Sequence, residues 1–264
     1  MFRIYIKRLF SVCLVFALFL TSFPLASAAT YDTEYVYNWL VSAGFPAEFL
    51  DIVDEEFLLK MYKDSVAADE LEVTASVAYM GSDDSNSNSS RATIPSTELE
   101  FWVLAGKVSV NNVIEEVNMY VGYEWAEGLP LQRHVDSVGA AWDSTLWYYE
   151  PNTFDSSVSS NGVVRSRKTD LLENTAGGIG WEIWMPGVIY GSPSGNATFK
   201  LRPKNTALPN GTEMVTSVHA TYFHLKKSTE FNLSFTGLTI PTVGISLTSG
   251  FDKRAVNDTI TYGN

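Results

Sequence analysis

The sequence predicts a mainly β protein, an antiparallel β-sandwich preceded by a short helical segment. Three observations predict it. First, Val113–Trp125 alternates: Val113, Val117, Met119, Val121, Tyr123 and Trp125 fall on one face, with Glu115 the exception. Glu116, Asn118, Tyr120 and Glu124 fall on the other, so this is a half-buried strand. Second, roughly nine or ten extended runs are punctuated by Gly, Pro and Asn turn signals, with no helical pattern among them. Third, residues 31 to about 66 repeat apolar side chains at spacings of three and four. A closed β-barrel is the alternative architecture.

The chain begins outside this fold. Arg3, Lys7 and Arg8 precede an apolar core from Leu9 to Leu20, and Ala26-Ser27-Ala28 supplies small residues for a signal peptidase. Residues 1–29 therefore read as a secretory signal peptide cleaved near Ala28 or Ala29, which leaves an extracellular protein with no stable membrane anchor. Cys13 lies inside that core and is the single cysteine, so the mature chain has none. Disulfides, thiol catalysis and cysteine-ligated zinc are excluded. Three basic residues leave with the signal, and 15 remain against 30 acidic ones, a net charge of −15. Such a surface repels nucleic acid and anionic lipid.

Residues 30–68 form the helical segment. Asp32 or Thr33 caps a helix carrying Tyr35, Val36, Trp39, Leu40 and Ala43, and Gly44 stops it. Pro46 opens a short turn with Phe49, Leu50 and Val53. Asp54 caps a third helix with Glu55 and Glu56 in its first turn and Phe57, Leu58, Met61 and Tyr62 on its apolar face. Helices this short must dock on something. The run Ala43-Gly44-Phe45-Pro46, then Phe49-Leu50-Asp51 and Glu55 to Tyr62, resembles the start of uncharacterised small secreted proteins of Gram-positive bacteria. That resemblance implies short helices before a β-rich region. It implies no activity and no catalytic residue.

Residues 69–264 form the sandwich. Leu71–Tyr79 is its first strand, and Gly81–Ser90 is a polar loop. A strand marked by Leu99, Phe101, Val103 and Ala105 follows, with a turn over Gly106–Asn112 or a tight one at Asn111-Asn112. Val138–Tyr149 reads as one aromatic-rich strand, and Phe154–Lys168 as a surface hairpin turning at Asn161-Gly162. Gly177, Gly178 and Gly180 precede a strand rather than a helix, so they mark a bend or bulge rather than a phosphate cradle. The last strands are Ala197–Leu201, Glu213–Leu225, Glu230–Phe235 and Val243–Leu247.

Function leaves fainter traces. Among His134, His219 and His224, the last two sit an odd number of residues apart on one strand and cannot share a metal. Asp84–Asn88 opens like a calcium loop, but Ser89 and Pro95 replace the required Gly and Glu. No metal and no cofactor are expected. The surplus of aromatics suggests a sugar-binding face, with Trp142, Trp147, Tyr149, Trp181, Glu182 and Trp184 as candidate ligand residues. The leading expectation is an extracellular binding module for a carbohydrate or other cell-surface ligand. The alternatives are a carboxylate-dependent glycoside hydrolase with Glu182 as first candidate, and a membrane-active, toxin-like protein.

Overall fold

The computed structural model describes residues 32–66, 68, 70–77, 94–95, 97–110, 113–130, 135–184, 191–204, 214–225, 231–236, 241–247 and 251–262. Three helices come first: α1 (Thr33–Ser42), α2 (Ala47–Leu50) and α3 (Glu55–Val66). The strands are β1 (Glu70–Val77), β2 (Leu99–Val110), β3 (Val113–Trp125), β4 (Val135–Trp142), β5 (Trp147–Tyr149), β6 (Asp155–Ser160) and β7 (Val163–Lys168). They continue as β8 (Glu173–Thr175), β9 (Gly178–Trp184), β10 (Pro193–Pro203), β11 (Met214–Leu225), β12 (Phe231–Thr236), β13 (Thr242–Leu247) and β14 (Phe251–Tyr262).

The strands build two packed antiparallel sheets. One runs β1-β2-β3-β10-β6-β7, with β5 also paired to β10; the other runs β14-β11-β4-β9-β8. Strands β12 and β13 pair only with each other. Between the two sheets lies the main core. Val117, Met119, Val121, Tyr123 and Trp125 of β3 enter it, as do Val138, Ala140 and Trp142 of β4 and Val218, Ala220 and Tyr222 of β11. The strand β3 is internal, flanked by β2 and β10, and Glu115 is exposed near its start, as its place on the apolar face requires.

The opposite face of β3 is not wet. Asn118 and Tyr120 are buried, because the three helices cover this side of the sheet as a third layer. Val36, Leu40, Phe45, Phe49, Phe57 and Met61 pack there on Trp102, Leu104 and Tyr120. Gly122 makes the approach possible: a Cβ at that position would lie 2.6 Å from Phe49 Cε2. Polar side chains of the covered face serve the helix ends. Asp32 caps α1, accepting from Glu34 N at 3.0 Å. Asp54 caps α3 through Phe57 N at 3.1 Å, and also accepts from Ser157 Oγ at 2.7 Å and Arg167 Nη2 at 2.5 Å. Asn196 Nδ2 donates to Ile52 O at 3.3 Å, and Asn118 Nδ2 to Asp64 O at 3.4 Å. Helix-end carbonyls that would otherwise lose water thus find donors on the sheet. Lys200 bridges Glu116 at 2.9 Å and Asp64 at 3.3 Å.

Several expected boundaries move. Gly106 lies inside β2, which pairs on to Val110 opposite Val113, so Gly106–Val110 carries no turn; residues 111–112 lie outside the described residues. The aromatic run 138–149 splits between sheets: β4 joins the second sheet and β5 the first. Asp143 makes the break, accepting from Thr145 N at 2.8 Å through its side chain and from Leu146 N and Trp147 N through its carbonyl. The segment 154–168 does turn at Asn161-Gly162, both at positive φ, but its first arm β6 lies buried between β10 and β7 and is no surface hairpin. Gly178 and Gly180 form neither bend nor bulge. With Gly139, which pairs with Gly180, they make a flat floor on the outer side of the second sheet, and Phe235, Leu233 and Val243 of the β12–β13 hairpin rest on it. The Asp84–Asn88 loop and His134 lie outside the described residues.

Candidate functional site

Strand β9 decides which sequence-predicted residues can meet a ligand. Ile179, Trp181 and Ile183 point into the sandwich and are buried. Gly178, Gly180, Glu182 and Trp184 therefore share the outer face. Trp184 is 62% exposed. Glu182 sits two residues away on the same face, with Lys168 Nζ of β7 at 3.4 Å from Oε2. Glu173 of β8 pairs directly with Gly180, which sets it diagonal to Glu182 on that face. An aromatic plane, two carboxylates and an ammonium group are thus gathered at one corner. Glu173 was missed in the sequence because its strand is three residues long and polar.

The other candidates go elsewhere. Trp142 and Trp147 are fully buried, and Trp142 packs against Phe199 with ring centroids 5.9 Å apart. Trp181 packs on Phe154 at 5.3 Å. These three rings fill the interior of a cysteine-free sandwich and present no face to a ligand. Tyr149 is half-buried, and its hydroxyl accepts from Phe154 N at 3.3 Å. Of the six candidates, Glu182 and Trp184 alone come together at the surface. Tyr148 and Tyr35 are also exposed, on β5 and α1, so among the described residues no line of aromatic rings forms on one sheet face.

Both described histidines have side-chain partners within the protein. His219 Nε2 lies 2.9 Å from Thr221 Oγ1. His224 belongs to a buried network around Asp136, whose carboxylate accepts from Tyr222 Oη at 2.6 Å, His224 Nδ1 at 3.0 Å and Leu225 N at 3.1 Å. Trp125 Nε1 donates to Tyr222 Oη at 3.1 Å. Burial, reinforced by Asp136, pushes the Tyr222 phenol well above its ordinary pKa, so it stays a donor.

A second concave region lies where β3 ends and β10 begins. One hollow of about 320 Å³ is lined by Asp51, Ile52, Val53, Glu124, Glu127 and Ser159, among others. A neighbouring hollow of about 330 Å³ includes Glu98, Glu100, Glu124 and Trp125. Glu124 and Ser192 belong to both, so the two form one furrow. Strand register builds its floor. Glu100 pairs with Glu124, Glu124 with Ser194, and Ser194 with Ser159, which sets all four on one face in a row across four strands. Among the described residues, no Lys, Arg or His lines either hollow.

Burial, with Glu100 directly across the ladder, raises the Glu124 carboxyl above its ordinary value. The folded state therefore holds this proton more tightly than the unfolded chain. The resulting stabilisation is present below the ordinary glutamate range and is lost as pH rises through the raised folded value. Glu124→Gln is expected to raise the Tm at neutral pH and leave it unchanged about one unit below the ordinary glutamate pKa. Thermal melts at the two pH values check this.

No protein-family model matches the chain, and no curated protein matches it. Among the described residues, no helix is long and apolar enough to cross a membrane. Three solved structures share a loose likeness of strand arrangement. The pilus 2b backbone protein of group B streptococcus has 12% identity and a TM-score of 0.31, over 60% of this chain and 79% of that one. A collagen-binding domain from a Staphylococcus aureus adhesin has 12% identity and a TM-score of 0.26, over 66% and 93%. The S. aureus collagen adhesin has 9% identity and a TM-score of 0.27, over 63% of this chain and 67% of that chain.

Proposed function

We propose that the chain is an exported, extracellular binding module that takes a carbohydrate or other hydroxyl-rich cell-surface ligand at the Trp184 corner. The exposed Trp184 ring carries this reading. A large indole left bare on a sheet face, with Glu182, Glu173 and Lys168 beside it, offers a stacking plane plus acceptors and a donor for hydroxyl groups. The signal-like first residues and the cysteine-free mature chain support the extracellular setting.

Screening the mature protein on an oligosaccharide array is the test. Trp184→Ala is expected to weaken the best interaction at least about tenfold, near 1.4 kcal/mol. Tyr148→Ala, an exposed aromatic on the other sheet, is expected to leave it intact. Equal retention by Trp184→Ala and the native protein would remove this site. The glycoside hydrolase reading keeps one supporting observation, the diagonal Glu173–Glu182 pair on a single face. Release of reducing ends from the bound oligosaccharide, abolished by Glu182→Gln, distinguishes it from binding alone.

A further inference from the structure

The acidic furrow at the end of the sandwich is separate from the Trp184 corner and makes its own demand on a ligand. Glu100 and Glu124 face each other across the ladder, an arrangement that costs stability unless a positive group joins them. Ser159, 3% exposed, lines the same floor, and its hydroxyl has no protein partner. A buried hydroxyl left without a partner is unfavourable, and a ligand donor seated above it removes that cost. Among the described residues, the two nearest arginines already have partners. Arg254, which feels the charge of Glu100, donates to Ile94 O at 2.7 Å, and Arg167 is held by Asp54 and Glu56.

The shape of the furrow separates candidate cations. Among the described residues, no three His, Cys, Asp or Glu side chains converge as a metal ion requires. The carboxylates are spread along two joined hollows instead. Ile52 and Val53 add apolar wall to the first. Acceptors at the head and apolar surface along the stem match a lysine or arginine side chain, whose polar end only donates.

We infer that this furrow seats a basic segment of a partner polypeptide, one cationic side chain in each hollow, with Glu124 shared between them. Its test is fluorescence anisotropy with a labelled Gly-Arg-Gly-Arg-Gly peptide and the mature protein at about physiological ionic strength, where long-range attraction is screened. A norleucine-for-arginine peptide serves as the uncharged match. Saturable binding of the arginine peptide alone is expected. The double variant Glu100→Gln/Glu124→Gln is expected to weaken it at least tenfold. Glu115→Gln/Asp170→Asn removes the same charge from exposed positions outside the furrow and is expected to change it less than twofold.

Since Glu124→Gln is expected to stabilise the fold at neutral pH, unfolding would not account for the loss. Equal weakening by the two doubles would reduce the effect to net charge and overturn the inference. So would the absence of saturable binding, or displacement of the peptide by calcium chloride at matched ionic strength. Each of these outcomes leaves the Trp184 reading intact, because the oligosaccharide array reads a different face.

Discussion

Asp136→Ala is expected to destabilise the protein by about 3–5 kcal/mol, since each buried donor that loses its acceptor costs about 1–3 kcal/mol. Asp136 is fully buried, and three donors converge on it: the Tyr222 hydroxyl, His224 Nδ1 and the Leu225 amide. Alanine removes the acceptor that all three share. Trp125 would suffer indirectly, since its indole N–H rests on Tyr222 and its ring packs on His224 at 5.2 Å. Asp136→Asn keeps the volume and part of the acceptor capacity, so it should fall between. Urea denaturation followed by tryptophan emission measures both. A loss below about 1 kcal/mol for the alanine variant would show that the network is dispensable.

Phe49→Ala is the second large effect, with an expected cost of about 3–5 kcal/mol, typical of a buried phenylalanine. The ring is fully buried against the bare backbone of Gly122 and edge-on to Trp102 at 6.4 Å. Removing it opens a cavity between the helical layer and the sheet. Gly122→Val attacks the same contact from below by forcing Phe49 off its seat. Hydrogen exchange should show amides of α1 and α3 losing protection before those of β3 and β11. Unchanged protection in α1 and α3 would mean that the helices are held by something other than this contact.

How much of this was legible depends on whether the information was local. The alternation of Val113–Trp125 named the inward side chains correctly, because period two needs no distant partner. It assigned the other face to water, because nothing local says that helices more than fifty residues upstream return to cover Asn118 and Tyr120. The caps at Asp32 and Asp54 were readable from their own turns, whereas Arg167 and Ser157, over a hundred residues away, were not. Parity along a strand placed His219 and His224 on opposite faces, but Asp136 lies 88 residues from His224. Strand β14 was overlooked because FDKRAVNDTITY is too polar to read as a buried strand.

The sites divide in the same way. Glu182 and Trp184 are two apart on one strand, so their shared face follows from sequence spacing. Trp142 and Trp147 drew attention by composition alone, and composition does not separate a core ring from a ligand platform. The furrow was invisible for a different reason. Glu100, Glu124, Ser194 and Ser159 come from four strands, and only their register aligns them.

The claim that Trp184 is the ligand face is tested most directly by following the indole N–H resonances of the mature protein in 15N-correlated spectra. The titrant is the oligosaccharide that the array selects. The structure predicts that the Trp184 indole signal moves through a saturable isotherm while those of the buried Trp142, Trp147 and Trp181 stay in place. Saturable movement of the buried indoles with Trp184 stationary would contradict it.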